Sequence, residues 1–313
     1  MNKRKLIIII SSVLSIIIIV TIIILIINFS NQNKNLKLNL DDKDLIVTEK
    51  EDEIYSRTYY DAKYKYQTTM LKTPNDGTKP DNYDSKTNIY YALYKLNHTK
   101  DFKCTTLGKT IAAGFMEQNT KNLRIVSDKE AFIQTVSDGA LKVATQKYFK
   151  NCGEEIKERK TTKIKDLNPE FNNEEIQNID TKTYLEEYGW LPYKPYGHII
   201  SDDTILKALE LKKENNNYII NLEMDPNSEK TPYFYQNEVK TTGSLEGYPK
   251  FSLINLEFTI DENWRILKVV FHEKMKVTKN FIFNIEVETE NNQTDTFEYD
   301  NIKIDDEIIS IFK

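Results

Sequence analysis

Residues 254–260 read INLEFTI, and the reading of this short stretch decides the fold class. Ile254, Leu256, Phe258 and Ile260 fall on one side of an extended strand, and Asn255, Glu257 and Thr259 on the other. A period of two with one apolar and one polar face marks an antiparallel strand that is packed on one side and wet on the other. Working outward, Tyr218, Ile220, Leu222 and Met224 alternate in the same way with Ile219, Asn221 and Glu223. Asp261, Glu262 and Asn263 form a polar turn, and residues 264–277 return as a partner strand. Phe281, Phe283, Ile285 and Val287 alternate with Asn284, Glu286 and Glu288, and residues 296–304 are expected to close the domain as a last strand. The predicted class is mainly β (α+β): a curved antiparallel sheet with one or two covering helices.

Upstream, Ile89, Leu93 and Leu96 fall at i, i+4 and i+7. They predict a helix over residues 88–97, capped by Ser85 or Thr87. Short β-like segments follow at 102–106, 110–117, 123–126, 131–136 and 141–149, with Gly108, Gly114 and Gly139 at the bends between them. The last of these also fits a helix through Leu141, Ala144 and Tyr148, but its β-branched and aromatic residues favour a strand. Residues 151–183 are charged and poor in apolar side chains, which predicts a surface excursion or a connection dividing the domain. A short helix is expected over 204–213, capped by Asp202 or Asp203, and residues 55–70 suit a first strand or short helix.

The N-terminus sets the expected location. An uncharged apolar run begins at Leu6 and ends at Ile27, about 22 residues or roughly 33 Å of helix, long enough for a hydrocarbon core of about 30 Å. Lys3, Arg4 and Lys5 precede it and no basic cluster follows, so the positive-inside bias keeps residues 1–5 in the cytoplasm. Ile26, Ile27, Asn28 and Phe29 offer no small-residue cleavage site, so the run is read as an uncleaved transmembrane anchor. Residues 28–54 turn to Asn, Lys, Asp and Glu and read as a flexible spacer. Residues 55–313 then form an extracytoplasmic β-rich domain at the cell membrane. Net charge is −5 overall and −8 without the three basic residues before the anchor, which argues against nucleic acid as a partner.

Cys104 and Cys152 are the two cysteines, on the side where a disulfide can persist. They either pair or stand as separate thiols; a bridge closing this loop would add about 4 kcal/mol on the chain-entropy model. No zinc-binding spacing, P-loop, dinucleotide fingerprint or G-x-S-x-G occurs, and His98, His198 and His272 are scattered. No metal, cofactor or catalytic set is therefore expected. Two features stand out as candidate ligand contacts. Glu273 falls in register with apolar Leu267, Val269, Phe271, Met275 and Val277. It is either a ligand-orienting or proton-accepting group inside a cavity, or is turned outward by a bulge or the sheet edge. Trp190 and Tyr193 belong to an aromatic stretch over 184–197 that suits the mouth of an apolar pocket or a rigid loop folded over its own core.

The order of these elements (helix over 88–97, successive antiparallel strands, a long excursion, then strands with a hairpin at Ile260 and Asp261) resembles the lipoprotein-carrier, or LolA-like, half-barrel. The resemblance spans residues 88–304 and carries no signature motif, so it transfers no functional residue. It implies a lipid, acyl chain or other apolar ligand on the apolar face of the sheet, with Ile254, Leu256, Phe258, Val269 and Phe271 as its lining. The alternative expectation is a structural or interaction component of a cell-envelope assembly of secretion or conjugation type, similar to the NTF2-like cones that ride on a single anchor. An envelope hydrolase ranks behind both.

Overall fold

The computed structural model describes residues 55–58, 67–127, 129–139, 142–172, 174–188, 192, 200–227, 246, 249–280 and 284–313. The apolar run at 6–27 and the spacer at 28–54 lie outside them, as do Trp190 and Tyr193. Among the described residues no helix is long and apolar enough to cross a membrane.

The chain is mainly β. After a small pair, β1 (Tyr55–Thr58) and β2 (Gln67–Met70), comes the helix α1 (Ser85–Asn97). Then follow β3 (Phe102–Ala112), β4 (Met116–Ser127), β5 (Glu130–Gly139), β6 (Val143–Lys150) and β7 (Glu155–Thr161). A tiny hairpin, β8 (Ile164–Lys165) and β9 (Asn168–Pro169), precedes β10 (Gln177–Ile179) and the helix α2 (Thr181–Tyr188). The rest comprises β11 (Ile205–Ala208), β12 (Lys212–Glu214), β13 (Asn217–Met224), β14 (Lys250–Ile260), β15 (Ile266–Asn280), β16 (Asn284–Glu298) and the helix α3 (Asp306–Ile311). Twelve of the strands form one sheet in the order β10-β7-β6-β5-β4-β3-β16-β15-β14-β13-β11, with β12 also paired to β13. Every pairing along it is antiparallel.

Two clusters fix the layers. On the inner face, Ile89, Ala92, Leu93 and Leu96 of α1 join Ile220, Leu222, Ile254, Leu256, Phe258 and Val269 in the main core. The helix starts where Asp84 accepts a hydrogen bond from the Thr87 amide at 2.8 Å, so the cap is Asp84 rather than Ser85 or Thr87. On the outer face, Ile125, Phe132 and Tyr148 pack with Ile304 and Phe312 around α3.

Four expectations are corrected. Residues 204–213 are not a helix: β11 and β12 pair with β13 instead. The unpaired amides and carbonyls along β13 need partners, and that need outweighs a modest helical pattern. Residues 296–304 are not one strand; β16 stops at Glu298 and the chain crosses to α3. Residues 151–183 are not an excursion, because β7 and β10 extend the sheet edge. Their pattern was hidden since the inward side of β7 holds Glu158, matched by Lys147 at 2.9 Å and Lys160 at 2.8 Å, where an apolar residue would be expected. The disulfide is not formed: Cys104 is buried on β3 and Cys152 exposed in the turn after β6. Three strand spacings, roughly 14 Å, separate β3 from β6, against a Cα reach below about 7 Å for a bridge.

Candidate functional site

The candidate lining residues come together, and they come together as core. In register, Leu256 faces Phe271, Phe258 faces Val269 and Ile254 faces Glu273. Ile254, Leu256, Phe258, Val269 and Phe271 are all buried beneath α1. The helix is fastened over them at its N-terminal end. Asn88, fully buried, donates to the carbonyls of Pro80, Tyr83 and Asp84 at 2.9, 3.0 and 3.1 Å. Its Oδ1 accepts from Trp264 Nε1 at 2.7 Å. Trp264 has a left-handed φ of 59°, unusual for so bulky a residue, and its ring packs edge-on to Tyr91 at 5.4 Å. Sequence reasoning missed Asn88 and Trp264; a tryptophan beside a polar turn was the available signal.

Glu273 points inward and is 0% exposed. The strand runs without a break past it against β16, and the nearby irregularity lies in β14, between Phe251 and Leu253. Asn291 Nδ2 donates to Glu273 Oε2 at 3.0 Å, and Thr110 Oγ1 donates to Asn291 Oδ1 at 3.1 Å. The carboxylate is thus part of a cross-strand hydrogen-bond chain over β15, β16 and β3, which meets the cost of burying it. Of the aromatic stretch, Tyr184 lies in α2, buried, edge-on to Phe149 at 5.2 Å.

The open site lies elsewhere. A groove of about 750 Å³ runs between the approach to α1 and the end of the sheet. One wall is Asp81, Tyr83, Asp84, Ser85 and Lys86; the other is the chain from Ile205 to Leu211, with Lys213 and Tyr218 at one end. Its geometry is held by cross-links between the walls. Ser85 Oγ donates to the Leu209 carbonyl at 2.5 Å, Tyr218 OH donates to Asp81, and Lys213 Nζ lies 2.9 Å from Asp81 Oδ2. The Tyr218 hydroxyl, then Lys213, hold the Asp81 carboxyl below its ordinary range. Lys86 and the Tyr90 hydroxyl do the same for Asp202. Among the described residues no strand pairs with the outer edge of β11. A bulge between Ile205 and Lys207 leaves Leu206 63% exposed there.

Two of the three histidines lie among the described residues. The ring of His98 is hydrogen-bonded to the Tyr94 carbonyl, that of His272 lies 3.0 Å from Glu290, and His198 is outside the described residues.

No family model matches the chain, and no curated protein matches it. Among solved structures it is similar to a LolA superfamily protein from Nitrosomonas europaea, at 10% identity, over 71% of this chain and 96% of that one, with a TM-score of 0.25. So loose a superposition leaves the description of the fold to the sheet and helices themselves.

Proposed function

We propose that this chain is a binding module held outside the cell membrane by its N-terminal anchor, and that its accessible site is the groove at the β11 edge. The ligand class that suits the groove is an extended segment of a partner protein in the cell envelope. The observation that carries this reading is an edge strand that, among the described residues, has no partner on its outer side, beside a groove whose walls are already cross-linked. An extended segment can add to such an edge through main-chain hydrogen bonds and place alternate side chains against Leu206 and Leu211. The bulge at Leu206 and the lysines at 207, 212 and 213 discourage indiscriminate pairing, so a partner must match the groove as well as the edge. Binding is proposed rather than catalysis.

A photoreactive residue placed at Leu206 in intact cells tests this. A discrete protein adduct from Leu206, absent from a probe at Leu107 on the outer face, is the expected result. No adduct, or the same adducts from both positions, would contradict it. A second reading is favoured by the apolar rows under α1, interrupted by Glu273: a lipid or acyl chain could enter there if the helix lifted. Lipid co-purifying with the chain, and lipid adducts from probes on α1, would support that reading instead.

A further inference from the structure

We propose that a shallow pocket where the chain leaves β7 binds a small zwitterion of the amino-acid class, a molecule carrying one ammonium and one carboxylate. The site is independent of the groove at β11, which lies toward the opposite end of the strand order. It measures about 390 Å³ and is lined by Val143 of β6, Lys160 and Thr161 of β7, Thr162 and Lys163 just after β7, and Glu174. Local structure sets these residues around it. The Lys163 amide donates to Thr161 Oγ1 at 3.2 Å, fixing the bend after β7. The Glu170 amide donates to the Lys163 carbonyl at 2.9 Å, so the chain leaving the β8–β9 hairpin comes back beside that bend and brings Glu174 to the pocket.

Two opposite charges line this one pocket without satisfying each other. Glu174 Oε2 is buried and has no hydrogen-bond partner among the described residues. A buried carboxyl oxygen left so costs free energy that a donor would recover. Arg159 is close enough for its charge to interact with that of Glu174, yet its Nε donates to Gln146 Oε1 at 2.7 Å and its guanidinium lies 4.5 Å from the centre of the Phe171 ring. Lys160 is taken by Glu158 at 2.8 Å. The Lys163 ammonium, in contrast, has no ion-pair partner among the described residues. A lone anion at Lys163 would be repelled by Glu174, and a lone cation at Glu174 by Lys163. A metal ion would find a single carboxylate here, and among the described residues no group of three or more His, Cys, Asp or Glu is placed to hold one. A molecule with both charges answers both needs: its ammonium donates to Glu174 Oε2 and its carboxylate accepts from Lys163. The Thr162 hydroxyl offers a further polar contact, and Val143 an apolar wall for the carbon skeleton.

The test is saturation-transfer NMR on the full chain in detergent micelles, with each of the common amino acids titrated as probe. At least one should bind. Blocking either of its charges, as the N-acetyl derivative or the methyl ester, should raise Kd about tenfold or more, as loss of a charge-assisted hydrogen bond requires. Glu174→Gln and Lys163→Met should each do the same to the unmodified amino acid. The blocked ligands are tried on the unsubstituted chain, so that arm decides the matter even where a variant fails to fold. Binding of no amino acid at concentrations up to about 10 mM overturns the proposal. Unchanged binding of the blocked forms, or unchanged binding by the two folded variants, overturns it as well.

Discussion

At residue 88 a single side chain serves four partners, and the stability of the inner core passes through it. Replacing Asn88 with Ala removes the partner of the buried Trp264 N–H and the side-chain donor of the Tyr83 carbonyl, whereas the Pro80 and Asp84 carbonyls keep the backbone amides of Tyr83 and Asn88. At 1–3 kcal/mol for each buried group left unsatisfied, and with partial relaxation, a loss of about 3 kcal/mol in denaturant unfolding is expected. A change below about 1 kcal/mol would contradict this role. The thiols offer a second residue-level test. Burial pushes the Cys104 thiol up to about 12, whereas Cys152 is exposed. A maleimide should label Cys152 in the native chain without reductant and reach Cys104 only on unfolding; labelling of neither until reductant is added would restore the bridge. Glu158 gives the pH dependence. Burial works to raise its pKa, but Lys147 and Lys160 outweigh it and hold the carboxyl below its ordinary range. A folded pKa below the unfolded one gives stability that is present above about pH 4.3 and lost as pH falls through the folded value. Lys147→Met should therefore move the acid-unfolding midpoint upward and cost about 3 kcal/mol at neutral pH; an unchanged midpoint would refute the pairing. Glu273 shows what the pattern could and could not convey. Its inward register was legible from alternation, but its partners Asn291 and Thr110 lie on strands whose pairing no local pattern reveals.

Among the elements, those with strict alternation or a clean 3.6-residue stripe were legible: β13, β14, β15 and α1 stand where their side chains placed them. β16, by contrast, is one strand, Asn284–Glu298, with Ile285 exposed, and Phe281 and Phe283 lie outside the described residues. Elements whose conformation depends on a distant neighbour were not legible. β11 and β12 exist because β13 needs a partner, and β7 because Lys147 neutralises Glu158. α3 is the clearest case. Ile302 and Ile304 looked like strand residues, yet they lead into a helix whose following residue, Phe312, stacks on Tyr148 at 5.8 Å and tilts against Phe132 at 6.4 Å. Lys157 Nζ then donates to the Phe312 carbonyl at 2.6 Å, pinning the end of the chain to β7. Phe312→Ala should cost about 3–4 kcal/mol and expose β4 to β6 to limited proteolysis before the rest of the sheet. If proteolysis and stability are unchanged, α3 is not part of the fold's support.

For the whole molecule, the question is what the large apolar face of the sheet is for. A sheet this size buries its inner side chains against something, and here α1 does so over β13 to β15. With that face filled, the partner binding proposed for this chain falls to the β11 edge. The measurement that tests this most directly is native-state hydrogen exchange along α1 in the full-length chain. The account predicts that the amides of residues 89–96 exchange as slowly as those in the middle of β14 and β15, and that acyl ligand leaves them unchanged. If those amides exchanged orders of magnitude faster than the strands beneath them and slowed when an acyl ligand was added, α1 would be a lid. The filled core would then be the binding site.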